Sequence, residues 1–376
     1  MAPEQVRKVA IRPATATERG HQADRELLEE LHGWRPQRGV LSVCFEIDPA
    51  DRSEGWRTAL RERLKHIAED GGAERAALKA TAERVLDRFP SSSGHPAGRT
   101  RVGFLEIGEK GGAERWSAYQ LPLGEPVVET GDRPLLRPLL QLLAQGGRHR
   151  ILLVSSERVL GWEWGHGDLR RFPEWDADMG IVPGAERKAP AMADPARAQS
   201  VSSSGRDQYG QRLEANRERF LHEVGARISA AAPGFDPPIV LGEAPYVDAV
   251  LEGARPPGSV HALEGQNLIN EPEERLADRL QEVIAGLNGA RHEALVERTI
   301  GAVMASDGNG TAGVGAVEAA LDEGRVEHLV YDSALDADVE RLIASAFDTS
   351  ASITPVRGRQ AAMLAPHEGV AAILRY

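Results

Sequence analysis

Five arginines between positions 206 and 227 are the residues whose type and spacing most directly indicate a binding chemistry. They are Arg206, Arg212, Arg217, Arg219 and Arg227. Apolar residues recur in the same stretch at the spacing of one helix face, at Tyr209, Leu213, Phe220, Val224 and Ile228. Guanidinium groups along the other side of such a helix can hold phosphate groups. An ordinary surface helix, whose arginines alternate with acidic residues, stays open as the alternative.

Nucleophilic and metal-binding chemistry has less support in the residues. Ser202, Ser203 and Ser204 could supply a hydroxyl nucleophile, but no neighbouring residue identifies its base. The 11 histidines are scattered. None of them forms an HxxxH pair with a carboxylate partner, so we expect no metal ion and no cofactor. The glycines of the stretch 308–313 match the spacing of a dinucleotide-binding loop, but a predicted helix precedes them where a strand should, which favours a connector.

The composition excludes several classes of protein. The formal net charge is -12, from 45 Lys and Arg against 57 Asp and Glu. An acidic chain repels phosphate unless its basic groups cluster, so any RNA contact has to be local. The single cysteine, Cys44, excludes a disulfide framework within the chain. No stretch approaches the ~18 consecutive apolar residues of a membrane span, so we expect a cytoplasmic protein without membrane contact.

Strands and helices alternate along the chain, which predicts the α/β fold class. A length of 376 residues is typical of two or three domains. We expect a disordered tail over residues 1–21, an N-terminal α/β domain over 22–147, a middle domain over 148–262 and a C-terminal domain over 263–376. A mobile loop over 176–205 precedes the arginine-bearing helix.

Several individual elements follow from the pattern. The apolar run 40–47 predicts a buried strand, and the run 370–374 predicts a strand near the chain end. Helices are predicted over 272–287 and 290–305. The short apolar run 361–364 is interpreted as a strand.

The C-terminal sequence carries a resemblance to a known family. The stretch GVGAVEAALDEGRVEHLVYD at 313–332, followed by EGVAAILRY at 368–376, resembles the third domain of archaeo-eukaryotic peptide-chain release factors and of Pelota. In that family the domain closes on a glycine-led apolar strand that ends in Leu-Arg and an aromatic residue. The positions that fit are Gly369, Ala371, Ala372, Leu374, Arg375 and Tyr376. The resemblance implies a three-layer α-β-α unit here.

The same resemblance extends to the rest of the chain. It implies a ribonuclease H-like sheet in the middle domain and, before the arginine-bearing helix, a loop that carries Gly-Gly-Gln in the release factors. Gly-Gly-Gln is absent here: Ser202–Ser204 stands at the expected spacing, and Gly205-Arg206-Asp207-Gln208 is the nearest substitute. The stretch 41–52 is similar to the start of the N-terminal domain in bacterial members. The chain therefore resembles a bacterial member of the superfamily that lacks Gly-Gly-Gln.

The resemblance implies a function on the ribosome. The third domain would dock on the ribosomal stalk base or a translational GTPase, and the middle domain would reach toward the peptidyl-tRNA. The five arginines would contact rRNA phosphate. The function expected is binding of the ribosomal A-site in rescue or hibernation.

Two alternatives stay open. One is a peptidyl-tRNA ester hydrolase, in which Gly205 and Gln208 are the catalytic residues. The other is a non-ribosomal interaction protein or a nuclease on the same fold. In the interaction protein the arginines would be dispersed around the helix, whereas a nuclease needs clustered carboxylates at adjacent strand ends, for which Glu163 and Asp168 make a poor set.

Overall fold

The structure of the protein is a computed structural model. It describes residues 20–47, 55–89, 99–173, 176–178, 198–229, 236–256, 260–265, 268–305, 308–335 and 337–376. These residues form three sheets flanked by helices, so the α/β prediction is confirmed. None of the helices in the described part combines the length and apolar character that crossing a membrane requires. The predicted tail over residues 1–21 lies almost entirely outside the described residues.

The first sheet has four strands in the order β3-β2-β1-β4. Its elements are α1 (Gly20–Gly33), β1 (Val40–Glu46), α2 (Gly55–Asp70), α3 (Arg75–Asp87), β2 (Thr100–Glu106), β3 (Glu114–Tyr119), β4 (Val127–Gly131) and α4 (Arg137–Gly146). The central strand β1 is the predicted buried strand, and it pairs antiparallel with β2 and β4. Its side chains alternate between two apolar clusters: Leu41 and Val43 join one, Val40 and Cys44 the other.

The second sheet has six strands, in the order β10-β9-β5-β6-β7 with β8 paired to β6. Its elements are β5 (Arg148–Val154), β6 (Arg158–Gly165), β7 (Asp168–Arg171), β8 (Ala177–Asp178), α5 (Ala198–Ser229), β9 (Ile239–Gly242), α6 (Ala244–Gly253) and β10 (His261–Glu264). Strand β5 pairs antiparallel with β6 and parallel with β9. Every residue of β9 is buried, as expected for a short apolar strand between two neighbours.

The third sheet has four strands in the order β11-β14-β12-β13. Its elements are α7 (Glu273–Met304), β11 (Gly310–Ala312), α8 (Val314–Asp322), β12 (Val326–Asp332), α9 (Ala337–Asp348), β13 (Ser352–Val356), α10 (Gly358–Leu364) and β14 (Val370–Leu374). Along β12, Leu329 and Tyr331 pack in a cluster with α8 and α9, while Val330 packs in a cluster with α7 and α10. Helices therefore cover both faces, which gives three layers.

Two predicted elements of this last region are wrong. Residues 272–305 do not form two helices, because α7 continues through Asn288 and Gly289. Tertiary hydrogen bonds account for this: Asn288 Nδ2 donates to Gln145 O at 2.9 Å, and Gln360 Nε2 donates to Gly289 O at 3.1 Å. The run 361–364 is not a strand but part of α10, since an apolar run of four residues fits either period.

The chain divides into two compact units. Unit 1 contains Arg148–Gly165 and Leu169–Asp278, and unit 2 contains Gln22–Gly147, His166–Asp168 and Arg279–Tyr376. Within unit 2, one apolar cluster includes side chains from the first sheet and from the third. The division into three sequence domains remains a prediction.

Candidate functional site

Helix α5 is the element on which the predicted site residues lie. It runs over 32 residues from Ala198 to Ser229, a length of about 48 Å. Gly205 and Gln208 are therefore helical, and the predicted loop over 176–205 is wrong for its last part; residues 179–197 lie outside the described residues. No proline lies between Pro195 and Pro233, and extending an existing helix through Ser and Gly costs at most ~1 kcal/mol per residue.

The helical state of Gly205 and Gln208 limits what they can do chemically. In a helix interior, the backbone N–H and C=O groups bond to residues four positions away. They are then unavailable to place a water molecule on an ester. The side chains of residues 198–213 lie outside the described part, so only the backbone of Gly205 and Gln208 is placed.

The C-terminal part of α5 packs tightly on α6. Leu221, Val224 and Ile228 are buried in the apolar core of unit 1. Gly225 lies so close to α6 that a Cβ there would collide with the carbonyl oxygen of Val250. Gly253 on α6 lies equally close to the backbone of His222 on α5. The two helices are thus held at a fixed separation by a glycine from each.

The arginines of α5 do not share one solvent-facing side. The side chain of Arg217 is only 13% exposed, its Cζ lies 5.8 Å from the ring centroid of Tyr246, and its Nη1 lies 3.6 Å from Glu214 Oε1. Arg219 and Arg227 are exposed. Residues 217 and 219 point about 200° apart on a helix. The side chains of Arg206 and Arg212 lie outside the described part.

A group of potential metal ligands lies on the α5–α6 pair, and the sequence reasoning missed it. One ligand atom from each of Glu218, His222 and Glu252 can be chosen so that all lie within 4.8 Å of one another. His222 Nε2 and Glu252 Oε2 are 3.1 Å apart. The four-residue spacing of Glu218 and His222 was readable from the sequence as one helix face. Glu252 joins them only through the packing of α6.

The second sheet offers little to a nuclease. Glu163 on β6 lies 3.7 Å from Arg150 on β5, where the two form an ion pair. Burial lowers the pKa of Arg150, and the Glu163 carboxylate opposes that shift. Among the side chains that the structure describes, no cluster of three or more metal-binding groups lies on this sheet.

Two histidines in unit 2 lie close to several arginines. His292 on α7 is half-buried, and burial, Arg291, Arg357 and His328 together lower its pKa to about 4. The pKa of His328 on β12 is also lowered, first by burial and then by Arg298. Its Nε2 lies 2.8 Å from Thr354 Oγ1. Both imidazoles are therefore neutral near pH 7.

Comparison with known proteins gives structural likenesses only. No family model matches the chain, and no curated protein matches it. An archaeal translation termination factor, aRF1, is 19% identical over 95% of this chain and 98% of its own, with a TM-score of 0.26. Archaeal Pelota, in a ribosome-bound model with ABCE1, is 12% identical over 96% of this chain and 98% of its own, with a TM-score of 0.43.

A third likeness is to S. cerevisiae Dom34, described as a termination-like factor in RNA quality control that interacts with Hbs1. It is 7% identical over 74% of this chain and 79% of its own, with a TM-score of 0.40. TM-scores below 0.5 carry no functional assignment.

Proposed function

We propose that this chain is a ribosome-associated translation factor related to the archaeo-eukaryotic release factors and Pelota, and that it binds the ribosomal A-site in rescue or hibernation without hydrolysing peptidyl-tRNA. The relationship is supported by the residues of the closing strand, Val370–Leu374 with Arg375 and Tyr376. That strand lies inside the third sheet, between β11 and β12. The arrangement of the second sheet, with β6 and β7 on one side of β5 and the parallel strands β9 and β10 on the other, is the one expected of a ribonuclease H-like sheet.

The observation that carries the non-hydrolytic form of the proposal is the continuous helix through Gly205 and Gln208. A loop that enters a crowded reaction centre needs the backbone freedom that glycine provides outside regular structure. A continuous helix is rigid and lacks this backbone freedom, so it presents only its side chains to a partner. Arg219 and Arg227 are the exposed cations among the described part of that helix, and they would contact rRNA phosphate.

The second candidate is a protein-binding role away from the ribosome. It is favoured by Arg217, which contacts Tyr246 instead of solvent, so the arginines of α5 lack a common face. The two candidates differ in their dependence on salt. Binding to rRNA releases counterions and weakens steeply as salt rises, whereas binding to a protein through apolar surface does not.

The test is co-sedimentation of the full chain with purified ribosomes over a range of salt concentrations. We expect wild-type protein in the 70S or 50S fractions. The double variant Arg219→Glu, Arg227→Glu should bind less tightly, with the slope of log affinity against log salt reduced by about two. Arg61→Glu, an exposed arginine of α2, is the matched control and should bind as wild type.

Two results would contradict the proposal. Absence of wild-type protein from every ribosomal fraction would exclude ribosome association. Equal binding by the wild type, the double variant and the Arg61 control would exclude Arg219 and Arg227 as contacts to rRNA.

A further inference from the structure

We propose that Glu218, His222 and Glu252 form a binding site for one divalent transition-metal ion of the Zn²⁺ class. The site lies entirely within unit 1, on the pair of helices α5 and α6. It is independent of ribosome binding. The group combines an imidazole with two carboxylates, which is a donor set that suits Zn²⁺ and leaves a coordination position for water.

The separation of the donor atoms fits one ion. Ligand atoms at ~2.1 Å from a tetrahedral zinc lie roughly 3.4 Å from each other. The donor atoms of the three residues all lie within 4.8 Å of one another, and His222 Nε2 and Glu252 Oε2 are 3.1 Å apart. Glu218 and His222 are one helical turn apart on the same side of α5, so both can reach one ion.

The helix crossing holds the ligands in place. Gly253 follows Glu252 directly, and a Cβ at Gly253 would collide with the backbone carbonyl of His222. The backbones that carry His222 and Glu252 are therefore in direct contact. One turn further along, Gly225 meets Val250 O in the same way. Two ligands from rigid, touching helices form a more precise site than ligands from loops would.

The local charges leave room for a cation. The guanidinium of Arg255 donates to the backbone oxygens of Glu252 and Ala254, at 2.7 Å each, so these bonds do not use the Glu252 carboxylate. Within the described part of the chain, that carboxylate lies against His222, with its Oε2 3.1 Å from Nε2. Glu218 and Glu252 contribute two carboxylates, whose negative charges one divalent ion neutralises.

An alternative is that the three residues form only a surface ion-pair cluster. Such pairs contribute little to stability, with a median of ~0–1 kcal/mol. A cluster of that kind would bind no ion in a defined stoichiometry. Zn²⁺ titration separates the two possibilities directly.

The experiment is calorimetric titration of the untagged full chain with Zn²⁺, with Mg²⁺ as the comparison ion. We expect one equivalent of Zn²⁺ to bind, and Mg²⁺ to compete poorly. The variants His222→Gln and Glu252→Gln should each lose this equivalent or bind it at least ~10-fold more weakly, the loss that removal of an outer-shell partner alone can cause. Glu223→Gln, an exposed neighbour on α5, should bind as wild type.

A second readout is the visible d–d absorption of the Co²⁺-loaded protein. It should indicate low coordination in the wild type and in Glu223→Gln, and change in His222→Gln. Circular dichroism of each variant establishes that it is folded. Two outcomes would overturn the proposal. One is that the folded variants His222→Gln and Glu252→Gln bind Zn²⁺ with the wild-type stoichiometry and affinity. The other is that the wild type itself binds no Zn²⁺.

Discussion

The guanidinium of Arg217 lies over the ring of Tyr246, with its Cζ 5.8 Å from the ring centroid. Arg217 thus joins α5 to α6 through a cation–π contact in a site where its side chain is only 13% exposed. This pairing gives Arg217 a structural role and separates it from the exposed Arg219 two positions later. Neighbouring arginines on one helix are therefore expected to respond differently to substitution.

Arg217→Ala should destabilise the α5–α6 pair by about 1 kcal/mol, because it removes the cation–π contact and the packing of the side-chain stem. The measurement is amide hydrogen exchange of residues 218–229, which should become faster. Arg219→Ala is the control, and it should stay within about 0.5 kcal/mol of wild type. Unchanged exchange in Arg217→Ala would show that the contact with Tyr246 has no energetic weight.

Gly225→Ala should destabilise unit 1 by about 2 kcal/mol, since the new methyl group meets the Val250 carbonyl and forces α5 and α6 apart. The matched substitution is Gly286→Ala in α7, where a Cβ would meet no atom within 4 Å. Adding helix propensity without a clash should stabilise the protein by about 0.5–1 kcal/mol. Urea unfolding of both variants measures the opposite signs, and equal effects would contradict the close approach.

Purified wild-type protein should release no peptide from ribosome-bound peptidyl-tRNA above the buffer rate, because Gly205 and Gln208 are helical. Gln208→Ala should give the same low rate. A release assay on purified 50S subunits measures both. Release by the wild type that is lost in Gln208→Ala would restore Gln208 as a catalytic residue and overturn the non-hydrolytic proposal.

The pKa of His292, lowered to about 4 by burial and by neighbouring cations, predicts a pH dependence of stability. An unfolded histidine titrates near 6.5, so between about pH 6.5 and 4 the unfolded state binds more protons than the folded state. The free energy of unfolding should therefore fall as the pH is lowered through that window. His292→Gln should show a shallower fall.

The direct measurement is an NMR titration of the His292 ring. A midpoint near 6.5 would exclude the proposed electrostatic environment.

Sequence reasoning located β1 and β14, because the buried apolar runs 40–47 and 370–374 carry a strong local signal. It failed where distant residues decide the local structure. The continuity of α7 depends on Gln145 and Gln360, which lie far along the chain from Asn288 and Gly289. Strand β11, which pairs with β14, has only three residues. It is too short to show the alternating pattern by which a strand is recognised in a sequence.

The candidate site was predicted in part for the same reason. The helical spacing identified α5 and its arginines, but the inward position of Arg217 depends on Tyr246, and the third member of the Glu218–His222–Glu252 group depends on α6. Residue type and helical period are properties of one segment. The partner that a side chain contacts across a helix crossing depends on a second segment, so the pattern of one segment cannot predict it.

Unit 2 is built from segments that lie far apart in the sequence, which has a consequence for its folding during synthesis. Its two main segments, Gln22–Gly147 and Arg279–Tyr376, are separated in the chain by roughly 130 residues, which take on the order of ten seconds to translate at typical elongation rates. Apolar side chains such as Leu139 and Leu142 therefore leave the exit tunnel well before Leu342 and Ile343, with which they share one cluster. In the nascent chain, the segments 148–165 and 169–278 of unit 1 are complete before the second main segment of unit 2 is made, so the first segment of unit 2 needs protection from aggregation until its partner emerges.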